Sequence, residues 1–298
     1  MNALFLTATT ALAPMLWGST YLVTTQYLPE NAPFTAALIR TLPAGLILLL
    51  WHIRDGWPPR FLQLVLLGAL NIGVFQALLF VAAYRLPGGL AAIVGALQPL
   101  IILGLNSLTL RRLPPRHLLF LAALALIGMT LMIGMTEGLP DPLGLAAAFA
   151  GTASMATGVW LTRRWQLPLS TGTLTGWQLT LGGLMLLPFA GWAEWPMPWP
   201  TPSAWAGYAY LTFGGALVAY LLWFRGVHRL PSVAVVALGL LSPITATALG
   251  WGVLGQALSP SALSGMVLTL FCVVLLQTPG LIGRRRRIKQ HMTRTPGH

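Results

Sequence analysis

Apolar residues run in blocks long enough to cross a lipid bilayer. Ten such blocks stand out: 7–25, 33–51, 61–83, 88–109, 116–134, 142–162, 171–189, 203–224, 232–253 and 261–281. About 20 apolar residues cross the hydrocarbon core as a helix. The pattern therefore predicts an all-α polytopic membrane protein of ten transmembrane helices, numbered here as spans 1 to 10. The connections are short and leave nothing for a soluble domain. Span 1 reads as a membrane helix rather than a cleavable leader, because no charge precedes it and Pro14 and Trp17 interrupt its apolar run.

Charge fixes an expected orientation. The chain has 17 basic and 5 acidic residues among 298. With a cytoplasmic N-terminus, the inside segments hold Arg54, Arg60, Arg111, Arg112, Arg116, Arg163, Arg164, Arg225, Arg229 and the tail residues Arg284 to Arg287, Lys289 and Arg294. Outside lies only Arg85, with Glu30, Glu137, Asp141 and Glu194; Arg40 sits within a span. Positive residues stay inside, so both termini are expected in the cytoplasm. Trp192, Trp195, Trp199 and Trp205 then form an outer aromatic belt. The basic clusters read as anchors on anionic lipid, and no nucleic-acid partner is expected.

The chain repeats itself at an offset of 144 residues. Phe80 matches Phe224, Arg85-Leu86-Pro87 matches Arg229-Leu230-Pro231, Gly95 matches Gly239, and Pro99 matches Pro243. The unit is five spans. An odd number turns the second copy upside down, which gives two inverted repeats around a central cavity, as in many secondary transporters. The expected divisions are 1–138, 139–283 and a basic tail at 284–298. Pro99 and Pro243 fall near the middle of spans 4 and 9. Such prolines free backbone groups that protein or water must meet, so they are expected helix breaks with a gating role, with paired packing kinks as the alternative. Pro14 and Pro43 have no counterparts.

Polar residues sort the spans. Spans 5 and 10 are nearly featureless and are expected at the periphery. At mid-depth elsewhere lie Trp17, Tyr21, Asn71, Phe75, Gln76, Gln98, Trp177, Gln178, Tyr220 and Ser242. Amides in hydrocarbon need partners; each one alone is as well explained by an interhelical hydrogen bond as by a ligand. Together they describe a neutral polar cavity with aromatic walls, a candidate substrate site. Trp160, Trp223 and Trp251 read as interface anchors. Arg40 is the one formal charge inside a span: its head either snorkels outward or plays a structural part, or it anchors a substrate carboxylate.

Leu16-Trp17-Gly18-Ser19-Thr20, together with Gln98-Pro99 and Ser242-Pro243, resembles the drug/metabolite transporter superfamily, EamA type. The resemblance spans residues 10–281 and is nearest to the bacterial amino-acid exporters of the YddG type. It implies a ten-helix basket, alternating access, a small-molecule cargo such as an aromatic or other neutral amino acid, and a place in the bacterial cell inner membrane. A monomer is the expected form. The family's usual Gly-Glu pair after spans 4 and 9 is replaced by Leu110-Arg111 and Gly255-Gln256. A carrier of a drug, nucleotide sugar or phosphorylated compound is the alternative; anionic cargo of that kind would want several basic groups where only Arg40 stands. An enzyme is not expected: no Walker A, His-Glu-x-x-His, Cys-x-x-Cys or Gly-x-Ser-x-Gly motif occurs, and no carboxylate lies within a span. No metal or cofactor is expected either.

Overall fold

Proline and small hydroxyl or carboxylate residues start several of these helices, where the first N–H groups lack partners. Asp141 accepts from the Leu143 and Gly144 N–H groups, Ser170 from Thr173, and Thr201 from Ala204. The computed structural model describes residues 3–52, 58, 60–133, 140–196, 199–230, 238–256 and 259–277, and every regular element among them is helical. The protein is a multi-pass membrane protein.

All ten expected spans contain helix among the described residues, with edges shifted by a few positions. Span 1 is broken into Ala3–Gly18 and Thr20–Tyr27. Span 2 is Pro33–Trp51, span 3 Phe61–Arg85, span 4 Gly88–Leu110 and span 5 Arg116–Ile133. Span 6 is Pro142–Trp165, span 7 Thr171–Ala193, span 8 Pro202–Arg229, span 9 Leu241–Leu254 and span 10 Pro260–Gln277. Positions 134, 232–237 and 278–281 of the expected spans lie outside the described residues, as does the tail.

Span-to-span packing respects the exchange of the two halves. Span 3 packs on span 6 as span 8 packs on span 1; span 4 packs on span 6 as span 9 packs on span 1; span 3 meets span 7 as span 8 meets span 2. Spans 2 and 7, 4 and 9, and 5 and 10 pair with their own counterparts. Thr269 of span 10 donates to the Ala125 carbonyl of span 5 at 3.2 Å, across a separation of 144 residues. A contact between residues one repeat apart sits on the pseudo-two-fold axis. Spans 5 and 10 thus lie against each other, and the buried Thr269 is a specific tie where the sequence offered only a featureless helix.

Spans 2, 3 and 7 approach one another closely, and glycine permits it. A Cβ on Gly182 would stand 2.7 Å from both the Gly68 carbonyl oxygen and the Gly73 amide nitrogen. Backbone cannot step aside, so no side chain fits there. Without a hydrophobic force between helices in lipid, such packing of small residues supplies much of the association energy.

Two polar ties close one set of span ends. The Glu194 carboxylate after span 7 accepts from the Phe34 and Thr35 N–H groups at 2.7 Å each, capping span 2. Arg85, ending span 3, donates to Asp141 at 2.7 Å as Asp141 caps span 6. The Arg85 hydrogen bond first, then the Gly144 N–H, hold the Asp141 carboxyl below its ordinary value. A depressed folded value contributes stability that is present above the unfolded value and lost as pH falls through the folded one. Asp141→Asn should therefore lower the melting temperature near pH 7. The gap from wild type should narrow as pH falls below about 4, the ordinary carboxylate range. A gap that is constant with pH would contradict this role.

Candidate functional site

Helix irregularities cluster at matched places in the two halves. Span 4 is interrupted by a turn at Leu97, immediately before Gln98-Pro99. Span 9 has its turn at Leu240, before Ser242-Pro243. A turn thus stands two residues before Pro99 and three before Pro243. A second pair was not expected: wide π-helical turns at Ala69–Val74 in span 3 and Tyr210–Val218 in span 8. Shifted by one repeat, 69–74 falls on 213–218, so these too are equivalent. Wide turns displace carbonyls from the helical ladder and often mark functional sites.

Each wide turn is tied to two neighbouring spans. In the first half, Ser154 of span 6 donates to the Leu70 carbonyl at 2.8 Å. Asn71 donates to the Gln178 side-chain oxygen at 2.8 Å and to Thr162 Oγ1 at 3.4 Å, joining spans 3, 7 and 6. In the second half the Gly215 carbonyl, one repeat from Asn71, accepts from Trp17 Nε1 at 3.0 Å and from Arg40 Nη2 at 3.3 Å. This joins spans 8, 1 and 2.

The Trp17-Gly18-Ser19-Thr20 quartet has a physical reason at every position. Trp17 reaches Gly215. A Cβ on Gly18 would collide with the Ser242 carbonyl oxygen of span 9. Ser19 Oγ and the Tyr210 hydroxyl are 2.7 Å apart. Thr20 Oγ1 accepts from Arg40 Nη1 at 3.3 Å. The quartet straddles the break in span 1 and pins that break to spans 8, 9 and 2.

Around this point the structure gathers part of the sequence-predicted set. The Trp17 ring lies 5.6 Å from Tyr220 and 5.4 Å from Trp223, and Tyr220 stacks on Phe224 at 5.9 Å. Gln76 is 1% exposed, and the Tyr220 hydroxyl lies beside its amide. Tyr21 is buried against Gly88 at the start of span 4. It also lines, with Thr25, Gly88, Ala246 and Gln256, a small pocket between spans 1, 4 and 9. Gln98 and Ser242 are partly exposed at the two mid-span turns.

Other members stand apart. Asn71 and Gln178 bond each other in the first-half tie. Trp177 packs edge-on against Phe61 at the opposite end of span 3, with ring centroids 5.9 Å apart, away from the Trp17 cluster. Phe75, partly exposed, follows the first wide turn.

Two readings need correction. Arg40 does not snorkel: it is 3% exposed, bonded to Thr20 and Gly215, with its guanidinium carbon 5.8 Å from the Phe80 ring centre. Trp223 is no interface anchor but part of the aromatic wall behind Trp17. Gly215 and Tyr210 were missed, and Thr20 and Phe80 entered only through the motif and the repeat, not as site residues. The signal that could have found Gly215 was its register with Asn71.

Comparison with known proteins agrees with this architecture. The EamA-like transporter family matches residues 4–134 and, separately, 142–278. Protein PecM of Dickeya dadantii is 44% identical over 282 residues, covering 93% of this chain and 94% of that protein. The uncharacterized inner membrane transporter YedA of Escherichia coli is 26% identical, covering 88% and 87%. A solved crystal structure superposes with a TM-score of 0.63 at 23% identity, covering 95% of this chain and 99% of that one, which supports the fold. With the family matched across both halves, the chain belongs to the EamA-like transporter family and is a membrane transporter, not an enzyme.

Proposed function

We propose that this transporter moves amino acids, aromatic and other apolar ones, out of the cytoplasm by alternating access, as its resemblance to the YddG type suggests. The observation that carries the reading is the neutral, aromatic-walled cluster of Trp17, Gln76, Tyr220 and Trp223 beside matched helix irregularities. Substrate lies against spans 1, 3, 4, 8 and 9, with Gln98 at its edge and Asn71 holding the first wide turn behind it. Aromatic walls suit apolar side chains, while amides and displaced backbone groups hold the polar end.

The halves 1–138 and 139–283 act as the moving units. Two inverted copies offer two near-equivalent packings, open to opposite sides. The turns at Leu97 and Leu240 absorb the change, with Pro99 and Pro243 keeping the ladder open there. The protein works as a monomer in a bacterial inner membrane with both termini inside. Reporter fusions after residues 58, 138 and 290 should read in, out, in; an external tail would contradict the orientation.

The test of substrate class is uptake into liposomes holding the purified protein, with a panel of labelled amino acids. Saturable uptake of phenylalanine or tryptophan, competed by leucine, is expected. Failure of every amino acid beside uptake of a sugar nucleotide or a drug would replace this reading with the other carrier class.

A further inference from the structure

Among the described residues the Arg40 guanidinium is a cation without a counter-ion. It is buried at 3% exposure inside span 2. No aspartate or glutamate lies within any of the ten spans. Guanidinium carries five N–H donors. Its two described hydrogen bonds are both long, at 3.3 Å, to the neutral Thr20 hydroxyl and Gly215 carbonyl. Nε is buried and meets no acceptor among the described residues. The Phe80 face and the Tyr21, Tyr210 and Tyr220 phenols in its electrostatic reach add dipoles but no charge. Leaving a charge buried and unpaired is costly.

The equivalent tie in the first half shows that structure alone does not call for this charge. There the wide turn is held by Asn71, Gln178, Thr162 and Ser154, all neutral. A cation at the second tie has a further use, and the rings around it lead to a second orphan. Gln76 stands one turn before Phe80 on the same helix face. It lies beside Tyr220, and its Oε1 is buried without a donor. An unmet cationic donor and an unmet carbonyl acceptor, linked through the Phe80 and Tyr220 rings, are complementary to a carboxylate with an ammonium beside it.

We propose that Arg40 binds the free carboxylate of the cargo through Nε and Nη2, and that Gln76 Oε1 accepts a hydrogen bond from its ammonium. This rests on the amino-acid reading above but reaches further. The carboxylate is the group the site requires, and the ammonium only improves the fit. Deaminated acids of the same shape are cargo too, whereas amides and amines are rejected.

The test is ligand-induced thermal stabilisation of the purified full-length protein in detergent. Four probes share one ring: phenylalanine, 3-phenylpropionate, phenylalaninamide and phenethylamine. Both acids should stabilise the protein, phenylalanine at several-fold lower concentration, and the amide and amine should not. Arg40→Gln should weaken both acids by about thirtyfold or more, the effect of removing one partner of a buried charge pair. Arg40→Lys guards against misfolding of that variant. It keeps the charge but lacks the planar Nε–Nη2 fork. It should keep the unliganded melting temperature near wild type and weaken both acids. Gln76→Leu should remove the advantage of phenylalanine over phenylpropionate.

Equal stabilisation by phenylalanine and its amide, or acid binding that survives both Arg40→Gln and Arg40→Lys, overturns the proposal while leaving amino-acid transport standing. Stabilisation by phenylpropionate but not by phenylalanine, lost in Arg40→Gln, sustains the carboxylate site and overturns the amino-acid reading. No response to either acid overturns the carboxylate site.

Discussion

Trp17→Ala should reduce transport by roughly tenfold to a hundredfold, the largest loss expected from any single aromatic substitution in this protein. Trp17 donates to the Gly215 carbonyl at 3.0 Å and packs against Tyr220 and Trp223. A buried hydrogen bond contributes about 0.5–1.5 kcal/mol. An aromatic pair contributes about 0.5–1.5 kcal/mol beyond its buried area. Alanine removes one hydrogen bond and two ring contacts, and each 1.4 kcal/mol is about tenfold. It also leaves a displaced carbonyl at the wide turn with only Arg40 as donor. Trp17→Phe keeps a ring in the wall and loses the hydrogen bond, so it should fall between. Initial rates per folded protein in proteoliposomes check this, with folding followed by size-exclusion profile. Unaltered rates in Trp17→Ala would place the site elsewhere.

Gln98→Ala should also cut transport, by about tenfold, while leaving the melting temperature near wild type. The separation of the two readouts is the point. Gln98 follows the turn at Leu97, is partly exposed, and makes no side-chain hydrogen bond to another described residue. Removing an unbonded amide costs the fold little. If the amide contacts cargo or shapes the break, its loss appears in transport alone. Parallel loss of melting temperature and transport would reassign Gln98 to packing.

The fold was readable because bilayer thickness imposes a length on each apolar block, and because proline has a local effect. The breaks at Leu97 and Leu240 adjoin Pro99 and Pro243 for that reason. The wide turns at 69–74 and 210–218 contain no proline. They exist because neighbouring spans meet the displaced groups, and those partners are far away in sequence: Ser154 for Leu70, and Trp17 and Arg40 for Gly215, the last 175 residues distant. Only their shared register in the two halves hinted at them.

Arg40 illustrates the same limit. Its distance from the span end allowed a reach outward, but a carbonyl opened by a wide turn in span 8 holds it inside. Trp223 lies near the end of span 8, where depth alone suggests an anchor. The break in span 1 brings Trp17 against it. Trp177 shows the converse, since mid-depth placement in span 7 did not bring it to the cluster; Phe61 claims it. Depth along a span follows from sequence, whereas the face a side chain presents depends on which span packs there.

Energy coupling is the remaining prediction. A proton-driven carrier usually carries titratable groups along its path. Here Asp, Glu and His lie in loops, at span ends or in the tail, and Arg40 stays charged. We propose a facilitative carrier that moves its cargo down the cargo's own gradient. The most direct measurement is counterflow in proteoliposomes. Vesicles loaded with unlabelled phenylalanine are diluted into a trace of labelled phenylalanine, with and without an imposed pH gradient. The account predicts transient accumulation of label that depends on the internal load and is unchanged by the gradient. Accumulation only when the gradient is present, accompanied by proton movement in fixed ratio, would contradict it.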